Sequence, residues 1–208
     1  GIFGFLNRLL IPVGMHHALN SVIWFDVAGI NDLGNFWAGT GTQGVTGIYM
    51  TGFFPVMMFG LPAGALAMYH TAFTKNKKIA KGVILTVCLT AFLGNITEPL
   101  EFTILLVSPV LFVAYSILVG ITTIPLGFIG VKMGYIRGTI FDFGIFGLLY
   151  ENTNWVGLLL LGIANFIIFY FAFKFVIKKF NLATPGREEF DLDENANTYG
   201  FCFDDYYK

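Results

Sequence analysis

Charge is scarce in this 208-residue chain: 12% of its residues are Asp, Glu, Lys or Arg, about half the share of a typical soluble domain. That shortage argues against a water-exposed globular surface. Cysteine is scarce too. Cys88 lies in an apolar segment and Cys202 in a polar tail, so the pair builds no disulfide framework and leaves the redox compartment open. The sequence opens at Gly1 without a Met, and no charged n-region with a cleavage site follows. Upstream sequence is therefore expected to be missing.

Apolar surface is plentiful. Residues of the apolar class make up 56% of the chain, 24 of them Phe, and mean hydropathy is +0.72. The expected class is an all-α integral membrane protein. The net charge of −1 conceals an asymmetry: Glu188, Glu189, Asp191, Asp193, Glu194, Asp204 and Asp205 crowd the tail against Lys208 alone. The membrane part is net basic.

A helix needs about 20 residues to cross the hydrocarbon. By that measure residues 45–73 span once, kinked by Pro55 and Pro62; residues 103–119 span; residues 155–177 form the cleanest span. Residues 79–93 are short and end at an acidic motif, while 122–150 are broken by Pro125, Lys132, Arg137 and Asp142. These two read as re-entrant or interrupted helices, which persist at membrane depth only when buried in protein or lining a wet cavity. A solute pathway is the expectation.

Two lysine groups set the orientation. Lys75, Lys77, Lys78 and Lys81 share one short loop, and Lys174, Lys178, Lys179 and Arg187 follow the last span, so both regions and the carboxy-terminus are expected in the cytoplasm. Residues from Pro185 onward are too polar and too few for a core, and read as linker and disordered tail.

The run Gly94-Asn95-Ile96-Thr97-Glu98-Pro99-Leu100-Glu101-Phe102 sets two carboxylates between strongly apolar flanks. A carboxylate at membrane depth costs roughly 2.5 to 3.5 kcal/mol on insertion scales, so it normally faces a polar cavity or a ligand. The same reasoning singles out Arg8, His16 and His17 in the first apolar segment. At about 100° per residue, Arg8 and His16 stand about 80° apart and Arg8 and His17 about 180°, while His16 and Asn20 are i,i+4 neighbours. His16 is the better ligand candidate, although Pro12 and Gly14 threaten the helix on which that arithmetic rests.

These residue types suit a polyol. An ionised carboxylate accepts from two neighbouring hydroxyls, and Arg, His and Asn supply complementary donors. Trp24, Phe25, Phe36 and Trp37 are candidates to stack on a pyranose face. Plainer readings stand beside these. Glu98 suits a helix N-cap with Pro99 at the first helical position and Glu101 at the third, and Arg8 suits a snorkelling interfacial cation. His17 fits a structural role, Asp142 a membrane boundary, the lysine loop a topology signal, and the Phe-rich stretch 166–175 lipid-facing packing.

Four motifs in order, Asn7-Arg8-Leu9-Leu10-Ile11-Pro12-Val13-Gly14-Met15-His16-His17-Ala18-Leu19-Asn20, Gly52-Phe53-Phe54-Pro55-Val56-Met57-Met58-Phe59-Gly60-Leu61-Pro62, Thr97-Glu98-Pro99-Leu100-Glu101-Phe102 and Asn181-Leu182-Ala183-Thr184-Pro185-Gly186-Arg187-Glu188, resemble the membrane IIC component of sugar phosphotransferase-system permeases. The glucose branch, N-acetylglucosamine type, is the nearest likeness. The resemblance implies a glucose-superfamily fold of transmembrane helices with re-entrant hairpins. It assigns residues 1–180 to the carboxy-terminal part of a IIC domain and residues 181–208 to a cytoplasmic linker and tail.

It also implies a mechanism in a bacterial plasma membrane. Sugar, N-acetylglucosamine or glucose, binds in an occluded pocket, moves inward, and presents its 6-hydroxyl to a phosphocysteine on a IIB component recharged through IIA from phosphoenolpyruvate. Carried over by position, the substrate-binding residues are Glu98, His16 and Arg8, with Asn20, Thr97 and Glu101 beside them. No residue of this chain is expected to be catalytic, and no metal, organic cofactor or nucleic acid is expected. The full-length form is expected to be a homodimer in the lipid bilayer. Two departures matter: the family tip has Gly where this chain has Asn95, and Cys202 lacks phosphoacceptor surroundings, so no phosphocysteine IIB domain is expected within these residues. A secondary sugar symporter and an inactive truncated remnant remain alternatives.

Overall fold

A computed structural model describes residues 1–25, 27, 29–40, 46–131, 140–148 and 153–187. Val45, Lys132, Arg137 and the tail beyond Arg187, with Cys202, lie outside them. The described residues form helices and no strands: α1 (Ile2–Leu9), α2 (His16–Trp24), α3 (Asp32–Trp37), α4 (Tyr49–Thr71), α5 (Lys77–Gly94), α6 (Glu98–Val107), α7 (Pro109–Ile129), α8 (Ile140–Asp142, running on as π turns over Phe143–Leu148) and α9 (Trp155–Lys179). Among these, α4, α7 and α9 are long and apolar enough to cross a membrane.

Helix α4 is the central element, with 78% of its apolar window buried against 28% for α9. It packs along α9 and against α5. Its middle, Val56–Gly60, is wound as a π turn directly after Pro55. The two prolines expected to kink this span thus flank one widened turn. Close approach of α4 and α9 depends on Gly162, where an added Cβ would sit 2.5 Å from the Phe59 ring. Leu61, Met68, Ile104, Tyr115, Phe169 and Phe173 fill the core between α4, α6, α7 and α9.

Two sequence expectations are corrected here. Residues 103–119 are not one span, because the chain turns extended at Ser108 (φ −164°, ψ 115°) between α6 and α7. A residue before proline is pushed out of the α region, and Ser108 then caps α7 by accepting the Leu111 N–H at 3.3 Å. Conversely, Pro125 does not break the chain: α7 runs through it to Ile129. The Thr122 and Thr123 hydroxyls donate to the Leu118 and Val119 carbonyls one turn earlier, and apolar surroundings offer the backbone no better partner than a helix.

Helices α5 and α6 form a hairpin whose tip is the acidic motif. Asn95 ends α5 in the left-handed region (φ 56°). Its N–H donates to the Ala91 carbonyl and that of Ile96 to the Thr90 carbonyl, at 3.1 and 3.3 Å, a left-handed helix stop in which Asn replaces the usual Gly. The amino-terminal segment breaks similarly. Residues Ile11–Val13 form a 3-10 turn and Gly14 is left-handed (φ 74°), so α1 and α2 are separate helices. Helix α1 packs along α7, so closely at Gly120 that a Cβ there would lie 2.9 Å from the Phe5 Cβ.

At the far end, the segment after α9 folds back. Arg187 donates to the Thr71 and Leu182 carbonyls, both at 3.0 Å, and the Phe73 N–H donates to the Gly186 carbonyl at 3.0 Å. The expected linker therefore begins as a clasp on the end of α4.

Candidate sugar-binding cavity

The α1–α2 break and the α5–α6 tip face one another across a cavity of about 360 Å³, within the usual range for small-molecule sites. The first contributes Asn7, Arg8, His16, His17 and Asn20; the second contributes residues 94–98, ending at Glu98. Trp24, Phe53 and Met57 supply apolar wall. Of the aromatic residues expected to stack on a sugar, Trp24 reaches the cavity. Phe36 instead packs in a core with Met50 and Phe54, and Phe25 and Trp37 are exposed. Asp142 is buried in α8 and is not part of the cavity wall.

The two carboxylates of the tip separate completely. Glu101 is fully buried and away from the cavity. Its Oε1 accepts from Arg8 Nη1 at 2.6 Å and from the Tyr115 hydroxyl at 2.5 Å, and its Oε2 accepts from the Thr97 hydroxyl at 3.2 Å. That carboxylate has little capacity left for a ligand. Glu98, half-buried in the first turn of α6, lines the cavity and has no ion pair or side-chain hydrogen bond among the described residues. The N-cap reading of Glu98 is corrected: Thr97 holds the cap position, and its carbonyl accepts the Leu100 and Glu101 N–H groups at 3.1 and 3.0 Å.

The facing wall divides similarly. Arg8 is buried, paired with Glu101, and its guanidinium lies 5.0 Å from the Phe53 ring centroid. It does not snorkel. Asn20 is buried and accepts from Asn7 Nδ2 at 2.6 Å. His16 presents a buried Nδ1 with no hydrogen-bond partner among the described residues. Its ring lies 4.0 Å from that of His17, which is exposed yet still borders the cavity. The helical-wheel argument from Arg8 to the histidines fails, because the 3-10 turn and Gly14 interrupt the helix between them.

Sequence reasoning missed Tyr115 and Asn7. A tyrosine within an apolar span carries no signal of its own. Asn7 was legible only as a polar neighbour of Arg8.

A larger cavity of about 660 Å³ lies beyond Arg8 and Phe53, among Ile2, Phe3, Tyr49, Val119 and Phe128. Its walls are largely apolar, with Arg8, Tyr49 and Thr123 as polar members, and include no carboxylate.

Residues 1–120 match the family described as "Phosphotransferase system, EIIC". Among curated proteins, the chain is 43% identical over 200 residues to the PTS system glucose-specific EIICBA component of Staphylococcus saprophyticus, covering 90% of this chain and 30% of that protein. It is 39% identical over 212 residues to the PTS system N-acetylglucosamine-specific EIICBA component of Escherichia coli, covering 95% and 32%. To the PTS system N-acetylglucosamine-specific EIICB component of Bacillus subtilis it is 41% identical over 203 residues, covering 93% and 43%. The chain spans less than half the length of each of these relatives.

Proposed function

Because the chain belongs to the phosphotransferase system EIIC family, an all-α integral membrane family, we propose that it forms the sugar-binding and translocating part of a phosphoenolpyruvate-dependent sugar permease in the bacterial plasma membrane. N-acetylglucosamine is the proposed substrate. Glucose is the second reading, favoured by the relative named for it. Residues 1–180 are the carboxy-terminal part of a IIC domain, residues 181–208 the linker and tail, and both the lysine loop and the carboxy-terminus face the cytoplasm. The complete protein is a homodimer served by IIB and IIA components.

One observation carries the reading: Glu98 and His16 line one cavity, and among the described residues Glu98 has no side-chain hydrogen bond and the buried His16 Nδ1 has no partner. An unpaired carboxylate there accepts from two neighbouring sugar hydroxyls, and each charge-assisted bond is worth about 1.5 to 3 kcal/mol. His16 adds a donor or acceptor, Asn20 and Thr97 border the pocket, and Trp24 gives an apolar face to the ring. Arg8 and Glu101 hold the two walls in register. The bound sugar then meets the IIB phosphocysteine: its 6-hydroxyl oxygen attacks phosphorus, the sulfur–phosphorus bond breaks, and the hydroxyl proton is lost to solvent.

The test is formation of N-acetylglucosamine 6-phosphate in membranes where this chain is completed by the amino-terminal half of a IIC domain and supplied with IIB, IIA and the phosphoenolpyruvate-dependent carriers. Phosphoenolpyruvate-dependent product supports the proposal. Uptake of unmodified sugar without phosphoenolpyruvate supports a secondary transporter, and neither uptake nor product supports an inactive remnant.

A further inference from the structure

At the lysine-bearing end of the molecule, α4 and α9 bring a second polar cluster together, independent of the sugar cavity. The Tyr170 hydroxyl lies 2.8 Å from His70 Nδ1 and accepts from Lys174 Nζ at 3.5 Å. The same ammonium is 5.4 Å from the Tyr170 ring centroid, and Lys77 Nζ is 5.9 Å from the ring of Tyr69, next to His70. None of His70, Lys77 and Lys174 forms an ion pair with a carboxylate among the described residues.

Depth distinguishes this cluster from an ordinary row of interfacial lysines. Lys174 stands five residues before the end of α9, about 7.5 Å along the axis at 1.5 Å per residue. Helical side chains lean toward the helix amino-terminus, so its ammonium turns over Tyr170 instead of reaching past Lys179. A cation held at that depth calls for an anion there.

The surroundings identify the anion's source. Ile167 and Phe171 precede Tyr170 and Lys174 by three residues each, share their face of α9, and are 52% and 62% exposed. A phosphate beside Lys174 and His70 would continue into an apolar bed of the kind an acyl chain covers. Basic groups between transmembrane helices hold anionic headgroups in this way. We infer that His70, Tyr170 and Lys174, with Lys77 at the rim, form a headgroup site for an anionic phospholipid such as phosphatidylglycerol.

The experiment is native mass spectrometry of the full chain released from bilayers of equal phosphatidylglycerol and phosphatidylcholine, scored as the ratio of the two lipids retained. The wild type is expected to favour phosphatidylglycerol. Lys174→Ala and His70→Ala should each lower the ratio, Lys174→Ala by about fivefold, the value of one lysine at such a surface. Lys178→Ala, which removes the same charge one turn on, should leave it unchanged. Because the ratio is read within the folded species, poor yield of a variant does not alter it. Equal loss in Lys178→Ala would show bulk charge attraction and overturn the site, as would equal retention of both lipids by the wild type. Displacement of phosphatidylglycerol by millimolar inorganic phosphate would assign the site to a free anion and overturn the lipid assignment.

Discussion

Arg8 and Glu101, 93 residues apart in sequence, meet at 2.6 Å with their side chains 3% and 0% exposed. The pair ties α1 to α6. Tyr115 brings α7 into the same network, so one buried carboxylate sets the spacing between the two walls of the cavity. Such a pair adds little stability over well-packed apolar residues, yet breaking it leaves a buried charge unpaired.

Glu101→Leu or Arg8→Met alone should therefore destabilise the chain by about 3 to 5 kcal/mol, whereas the double variant Arg8→Met/Glu101→Leu should recover most of that loss. Denaturant unfolding in detergent measures it. Additive losses in the double variant would mean that the two residues do not act as a pair.

His16 and His17 should differ in sugar binding. Since His16 lines the cavity and keeps a buried Nδ1 without a partner among the described residues, while His17 is exposed, His16→Ala should weaken binding about tenfold, as for one hydrogen bond of about 1.5 kcal/mol. His17→Ala should have a smaller effect. Equilibrium binding of radiolabelled sugar compares them, and a larger loss at His17 reverses the assignment.

The parts of the site legible in the sequence are those where a polar group interrupts apolar surroundings. Glu98, Arg8 and His16 stand out because each is costly in hydrocarbon, and hydropathy places α9 almost to the residue. Hydropathy could not locate the boundary at Ser108, since an apolar average does not register a serine that turns before a proline. Reading proline as a helix breaker misjudged Pro125, through which the helix runs to Ile129. Nor could spacing tell Glu98 from Glu101. Their difference lies in Arg8 and Tyr115, which only the folded chain brings beside one carboxylate and not the other.

Orientation is testable at two exposed positions beside the lysine groups. Lys75→Cys and Ala183→Cys, in a chain with Cys88 and Cys202 replaced, should react with a membrane-impermeant thiol reagent only from the cytoplasmic side. Reaction of either from outside would invert the proposed topology.

Asn165 in α9 is 1% exposed, and neither side-chain polar atom has a hydrogen-bond partner among the described residues. Asn165→Leu should raise the unfolding free energy by about 1 to 3 kcal/mol, the penalty of an unsatisfied buried polar group. A shift of the denaturation midpoint to higher denaturant checks this. A clear fall would mean that Asn165 has a partner in the working protein, such as a buried water.

The most direct measurement concerns Glu98. In the chain completed by the amino-terminal half of a IIC domain, Glu98→Gln keeps the side-chain shape but replaces one acceptor oxygen with a donor and removes the charge. Equilibrium binding of N-acetylglucosamine should weaken by about 10- to 150-fold, the equivalent of 1.5 to 3 kcal/mol for a charge-assisted hydrogen bond. Unchanged affinity in the Gln variant would contradict the assignment of Glu98 as the sugar-binding carboxylate.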